Sequence, residues 1–225
     1  MLVSGACLRP LVLICALVLF WQCKEPKADK KIQEVQVVKT TSVPGIIKEL
    51  AEFSAISVSD SIDIHSLLNF KMIDSTGRLL DAEIDQAAKE FNLLNRGKEA
   101  TSFPIIEVMN TDKVIFMVQG RGYGGPLWAK LLVDKKTRQI EKLELDHTSE
   151  SEGYGAGITY SSFEDQFTGS DLSQGESPFG LSLGGEIVVK GIYNIDGISG
   201  ATVTCNRVVR MVNLGLQPYR DYLTL

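Results

Sequence analysis

The chain has 225 residues, of which 44% are hydrophobic and 23% are charged, and its formal net charge is −5. These values are ordinary for one globular domain with a core of useful size. Nucleic-acid binding depends on clustered Lys and Arg that neutralise phosphates, and the sequence contains no basic stripe of that kind. We therefore expect no nucleic-acid partner.

The first informative segment is apolar and lies near the N-terminus. The run LVLICALVLFW, from Leu11 to Trp21, follows Arg9 and contains no polar residue. A membrane-spanning helix needs about 20 apolar residues, whereas the core of a signal peptide needs about 7 to 15. Residues 1–23 are therefore predicted to be an export signal, with a membrane anchor as the alternative if the apolar residues before Arg9 extend the run. In either case the rest of the chain is expected outside the cytoplasmic membrane.

The cysteines agree with this expectation. Three of the four lie within residues 1–23, so an exported domain keeps only Cys205 and has no internal disulfide. Cys23 ends the apolar segment and precedes the polar stretch KEPKADKK, an order similar to a bacterial lipoprotein signal. Cys23 is therefore a lipidation candidate, and a buried membrane cysteine is the alternative. Residues 24–34 are charged and lack periodicity, which predicts a linker and leaves 35–225 as the exported domain.

The exported domain begins with helical patterns and continues with strand patterns. IIKELAEF, from Ile46, and AEIDQAAKEFNLL have apolar residues at helical spacing, whereas residues 54–75 are either strand or irregular. After Pro104, the segments KVIFMVQG, PLWAKLLVD and QIEKLELDH predict an antiparallel meander. GEIVVKG adds a strand, and NRVVRMVNLGL predicts a C-terminal helix. The predicted fold class is α+β, an antiparallel sheet with flanking helices.

Small residues and hydroxyls are concentrated just before the last helix, in the stretch DGISGATVT from Asp196 to Thr204. One interpretation is structural: Asp-Gly forms a turn, and Thr204 caps a helix that begins near Asn206. The other is a binding site, because Gly200 and Ala201 leave room for a bulky group. A helix N-terminus also favours phosphate through its unpaired N–H groups and its dipole. A threonine hydroxyl here could contact a phosphate or be esterified to one.

This stretch matches D-x-x-(S/T)-G-A-T on Asp196, Ser199, Gly200, Ala201 and Thr202. The chain thereby resembles the FMN-binding domain family, which includes NqrC of the Na+-translocating NADH:quinone reductase and RnfG of the Rnf complex. The resemblance implies FMN attached by a phosphoester to Thr202 and installed by a flavin transferase. Thr204 is then the neighbouring, less favoured hydroxyl. Ser199 is expected to donate to the phosphate, and Asp196 either closes the turn or is read by the transferase.

Two further stretches carry the resemblance, which extends over residues from about 104 to 225. GRGYGGPLWAKLLVD is similar to the family's glycine-rich segment and following strand. HTSESEGYGAGI resembles its H-x-E-T-P-G-L-G loop, with one extra residue before Glu150, and with Glu152 in place of the proline. Tyr154 replaces the leucine that lies by the flavin ring. Either Tyr154 or Trp128 is expected to stack on the ring, with ordinary core packing as the alternative. The matching loop positions are Glu150, Ser151, Gly153, Tyr154 and Gly155.

The resemblance implies a membrane-tethered flavoprotein subunit that relays electrons in a Na+-translocating NADH:quinone reductase-like complex. Its partners would be the other subunits, the flavin transferase and the membrane. An RnfG-like role and a free-standing extracytoplasmic flavin lipoprotein are alternatives, and a non-redox surface lipoprotein that binds a ligand is the alternative from another class. No catalytic residue is assigned and no turnover is expected of the isolated chain. The two histidines and scattered carboxylates predict no metal site.

Overall fold

The computed structural model describes residues 42–59 and 63–224. The predicted export signal or anchor, the lipidation candidate Cys23 and the linker at residues 24–34 lie outside the described residues. Within the two described ranges, no helix is both long and apolar enough to cross a bilayer.

Helices and strands are mixed along the chain. The helices are α1 (Gly45–Phe53), α2 (Ile84–Leu94), α3 (Ser161–Glu164), α4 (Thr202–Gly215) and α5 (Arg220–Leu223). Single turns of 3-10 helix lie at Ile64–Ser66, Gly155–Thr159, Asp165–Phe167 and Gln217–Tyr219. The strands are β1 (Leu68–Ile73), β2 (Leu79–Asp81), β3 (Phe103–Val108), β4 (Lys113–Arg121), β5 (Pro126–Asp134), β6 (Gln139–His147), β7 (Phe179–Leu183), β8 (Glu186–Val189) and β9 (Tyr193–Asp196).

The strands form two sheets. A six-stranded antiparallel sheet has the order β2-β1-β3-β4-β5-β6, and a three-stranded sheet has the order β8-β7-β9, in which β7 and β9 run parallel. The predicted meander is β4, β5 and β6, and the predicted strand GEIVVKG is β8. The α+β fold class expected from the sequence is confirmed.

The large sheet separates two apolar clusters. Successive side chains of a strand point to opposite faces, and β5 shows this clearly. Leu127 and Leu131 pack in the cluster that contains the buried face of α4. Trp128 and Leu132 pack in the other cluster, which contains the buried faces of α1 and α2. The face on which a β5 side chain lies therefore decides whether it can reach the start of α4.

Helix α4 packs closely on the large sheet and is also joined to the small one. A Cβ on Gly215 would lie 2.4 Å from the Cβ of Val118, so only glycine permits this approach to β4. On the other side, the buried Asn213 accepts a hydrogen bond from the Phe179 N–H at 3.1 Å. Its amide also donates to the Phe179 carbonyl at 2.9 Å. Strand β7 is thereby fixed to α4, the helix whose first residue is Thr202.

Asn213→Ala is expected to lower the free energy of unfolding by about 2 kcal/mol, because the buried N–H and C=O of Phe179 lose their partner. Asn206, which is exposed on the same helix, provides the control, and Asn206→Ala is expected to stay within about 0.5 kcal/mol of wild type. Urea unfolding of the two variants measures the difference. Equal losses in both would show that the amide pair contributes nothing specific.

Candidate functional site

A cavity of about 480 Å³ lies at the start of α4. Its volume falls within the range of roughly 300 to 1,000 Å³ that is usual for small-molecule sites. Three segments that are distant in the sequence meet there: the β4–β5 turn, the loop after β6 and the first turn of α4. The lining residues are Tyr123, Glu150, Ser151, Tyr154, Gly155, Gly200, Ala201, Thr202, Val203 and Thr204. The three sequence motifs therefore converge on one cavity.

The two threonines at the start of α4 lie in different environments. Thr202 is the first residue of the helix and is exposed. Thr204 is only 3% exposed, and its hydroxyl donates to Oε2 of Glu150 at 2.8 Å. Of these two hydroxyls, the one on Thr202 is the one open to a bound group.

The helix begins at Thr202 rather than near Asn206, so the predicted N-cap role of Thr204 is wrong. Gly200 has φ +77°, a conformation that glycine adopts without strain, and it reverses the chain directly before the helix. Ala201 occupies the N-cap position, and no side chain caps this helix within the described residues. The first N–H groups of α4 therefore face the cavity region without a protein side chain to satisfy them.

Glu150 connects the three segments that line the cavity. Its side chain is buried, and its Oε1 accepts a hydrogen bond from the Gly124 N–H at 2.8 Å. Its Oε2 accepts the Thr204 hydroxyl. Its own N–H donates to Nδ1 of His147 at 3.2 Å, so His147 orients the loop that carries the carboxylate. One side chain thus joins the β4–β5 turn and α4 to the loop after β6.

Glycines make this close approach possible. A Cβ on Gly155 would lie 2.4 Å from Oε2 of Glu150, and one on Gly124 would lie 2.0 Å from the carbonyl oxygen of Ser149. A Cβ on Gly200 would lie 2.7 Å from Cδ1 of Tyr154. The glycine-rich composition of the motifs therefore reflects direct packing of backbone against carboxylate, carbonyl and ring.

Three of the predicted site residues lie beside the cavity but do not line it. Asp196 ends β9, where its carboxylate accepts the Ser182 hydroxyl and its N–H donates to Oε1 of Gln166 at 2.6 Å. Ser199 is exposed in the turn before Gly200. Gly153 has φ +76° and open space around its Cα, so it serves the shape of the loop. Asp196 thus fixes the strand end that precedes the small-residue turn.

Trp128 lies on the opposite face of the large sheet, and the prediction that it stacks on the ring is wrong. It packs in the cluster with α1 and α2, and its indole N–H donates to Oδ1 of Asn95 at 3.1 Å. Tyr154, the other predicted aromatic, does line the cavity. Sequence reasoning missed Tyr123 and Val203, which also line it. Tyr123 could have been found as the aromatic residue inside the glycine-rich GYGG turn.

Cys205 follows the lining residues along α4 but is fully buried. Its Sγ accepts the N–H of Ile198 at 3.3 Å, and burial raises the pKa of its thiol. A buried thiol with a raised pKa is a poor nucleophile, so Cys205 has a structural role. No group of three or more His, Cys, Asp and Glu that could hold a metal occurs in the described part of the chain.

The fold and the converging motifs define a domain of the FMN-binding class. The family model described as FMN-binding domain matches residues 122–217, which span all the residues that line the cavity. The resemblance to this family that the sequence predicted is confirmed.

The curated relatives are more particular, since they are NqrC proteins of the Na(+)-translocating NADH-quinone reductase. The protein of Chlamydia muridarum is 30% identical over 132 residues, which cover 52% of this chain and 42% of the relative. The protein of Chlamydia trachomatis is 30% identical over 129 residues, with coverages of 50% and 41%. The match to this chain thus spans less than half the length of either relative.

Two solved structures share the fold. NqrC from Parabacteroides distasonis superposes with a TM-score of 0.58 and 24% identity, covering 81% of this chain and 90% of that one. NqrC from Shewanella oneidensis also gives a TM-score of 0.58, with 18% identity and coverages of 78% and 94%. The likeness therefore extends beyond the region that the family model matches.

Proposed function

We propose that this chain is an NqrC-like flavoprotein that carries FMN covalently on Thr202 and relays electrons in a NADH-quinone reductase-like membrane complex. The observation that carries the proposal is the exposed Thr202 hydroxyl, which lines a cavity built from three motifs of the FMN-binding family. The competing hydroxyl of Thr204 is buried and bonded to Glu150.

The residues at the start of α4 fit the phosphate end of FMN. The hydroxyl of Thr202 would form the ester bond to phosphorus, and the uncapped N–H groups of the helix would face the phosphate oxygens. The positive end of the helix dipole favours the remaining negative charge. Gly200 leaves the approach to Thr202 free of a side chain. When bound, the flavin supplies reversible uptake of electrons, and the surrounding backbone and burial adjust its potential.

The proposed complex membership rests on the relatives. The chlamydial proteins are named as components of the Na(+)-translocating NADH-quinone reductase, which favours this role over an RnfG-like role in the Rnf complex. The partners proposed for this chain are accordingly the other subunits of such a reductase and the flavin transferase.

The proposed location is the outer face of the cytoplasmic membrane. It rests on the apolar N-terminal segment, with the chain held either by that segment or by a lipid on Cys23. A covalent link suits this location, because a flavin lost outside the cell membrane has no cytosolic pool from which to be replaced.

Mass spectrometry tests the attachment. We expect full-length protein, made in an exporting host with an active flavin transferase, to gain the mass of FMN less one water on the peptide that contains Thr202. A flavinylated family member made in parallel shows that the transferase works. An unmodified peptide under those conditions contradicts the covalent-flavin proposal and favours a non-redox binding lipoprotein. Co-purification with the other reductase subunits tests complex membership separately.

A further inference from the structure

We propose that Tyr123 is the residue against which the flat ring of the bound flavin stacks, with Tyr154 bordering the ring near its attachment point. This inference rests on the proposed FMN at Thr202. It assigns a ring-positioning role to a residue that none of the sequence motifs singles out.

The backbone that carries Tyr123 is fixed. Tyr123 and Gly124 form the tip of the β4–β5 hairpin, whose last strand pair is Arg121 with Pro126. The Gly122 N–H donates to the Gly125 carbonyl at 2.7 Å and closes this turn. The Gly124 N–H is held by the buried carboxylate of Glu150. The turn is therefore clamped on the side of the loop after β6.

The side chain of Tyr123, in contrast, is 80% exposed although it lines the cavity. Within the described residues, its ring and hydroxyl make no hydrogen bond, ion pair or ring contact. Burying an aromatic ring is favourable by roughly 1.5 to 3 kcal/mol, so an open ring on a rigid turn offers a ligand a ready surface. Aromatic rings also gain from offset stacking on a flat partner.

The other lining groups favour a flat and uncharged ligand ring at this point. Glu150 is the only charged residue among those that line the cavity, and both its side-chain oxygens already accept hydrogen bonds. Tyr154 is 58% exposed, and its ring occupies the space that a side chain on Gly200 would take, close to Thr202. A ring tethered to Thr202 therefore stays within a surface made of tyrosine and small residues.

Fluorescence of the attached flavin tests this assignment, because a tyrosine stacked on the ring quenches its emission. We expect Tyr123→Leu, made with the flavin transferase, to show a several-fold higher emission per covalently bound flavin than wild type. Tyr123→Trp, which restores a stacking ring, is expected to return the emission to the wild-type level or below. Tyr160→Leu is the matched control, since Tyr160 is 61% exposed but does not line the cavity.

The outcomes separate this inference from the proposed function. If wild-type protein gains no FMN mass, the proposed function fails and the inference fails with it. If all variants carry FMN and Tyr123→Leu emits no more than Tyr160→Leu, the stacking role alone is overturned. An unchanged urea midpoint for Tyr123→Leu, expected for so exposed a residue, establishes that a rise in emission does not come from unfolding.

Discussion

Thr202→Ala is expected to carry no covalent FMN, while Thr204→Val retains it. Thr202 provides the exposed hydroxyl in the cavity, and its removal leaves no oxygen at the helix start for the ester bond. The Thr204 hydroxyl is committed to Glu150, so its loss is expected to weaken packing at the helix start without removing the acceptor. In-gel flavin fluorescence after denaturation and peptide mass spectrometry measure the attachment.

Two controls make the result specific. Thr202→Ser keeps a hydroxyl at the same position and is expected to keep some attachment. Thr202 is exposed, so Thr202→Ala should remain within about 0.5 kcal/mol of the wild-type free energy of unfolding. FMN found on any peptide of the folded Thr202→Ala protein would assign the acceptor to a different residue.

Glu150→Ala is expected to lower the free energy of unfolding by about 3 kcal/mol, because the buried Gly124 N–H and Thr204 hydroxyl both lose a charged acceptor. The same change releases the β4–β5 turn from the loop after β6, so we also expect less FMN to be attached per chain. Urea unfolding measures the first effect and absorbance of denatured protein measures the second.

Glu152 is the matched control, since it lies on the same loop and is exposed. Glu152→Ala is expected to change stability by no more than about 0.5 kcal/mol. Glu150→Gln should fall between the two, because an amide offers one acceptor oxygen and turns a donor toward the other partner. A loss for Glu152→Ala as large as that for Glu150→Ala would mean that the hydrogen bonds of Glu150 are not the cause.

The longer periodic segments of the fold were predictable from the sequence. Helices α1 and α2 and the β4–β6 meander follow from apolar spacing that persists over enough residues to define a period. Strands β7 and β9 were not predicted. They are short, and their parallel pairing joins segments whose proximity depends on α4 and the core. The start of α4 was misplaced because Thr204 has the composition of a cap, while its hydroxyl is directed to a carboxylate 54 residues away.

The site was predictable where motifs name residues and unpredictable where geometry decides. The three motifs were expected to act together, and they do line one cavity. The position of Trp128 could not be read from its motif, because strand alternation places it on the face opposite Leu127. Tyr123 sits in a turn, where no periodicity indicates which way a side chain points.

The contacts of Glu150 have a consequence for the order in which the protein assembles. They close chain separations of 26 residues to Gly124 and 54 residues to Thr204. Contacts between such distant segments form only after the entropy of closing long loops has been overcome. The cavity is therefore a late product of folding. A nascent chain still lacking α4 would have neither the Thr204 hydroxyl that binds Glu150 nor the threonine proposed to receive the flavin, so cofactor loading would follow folding.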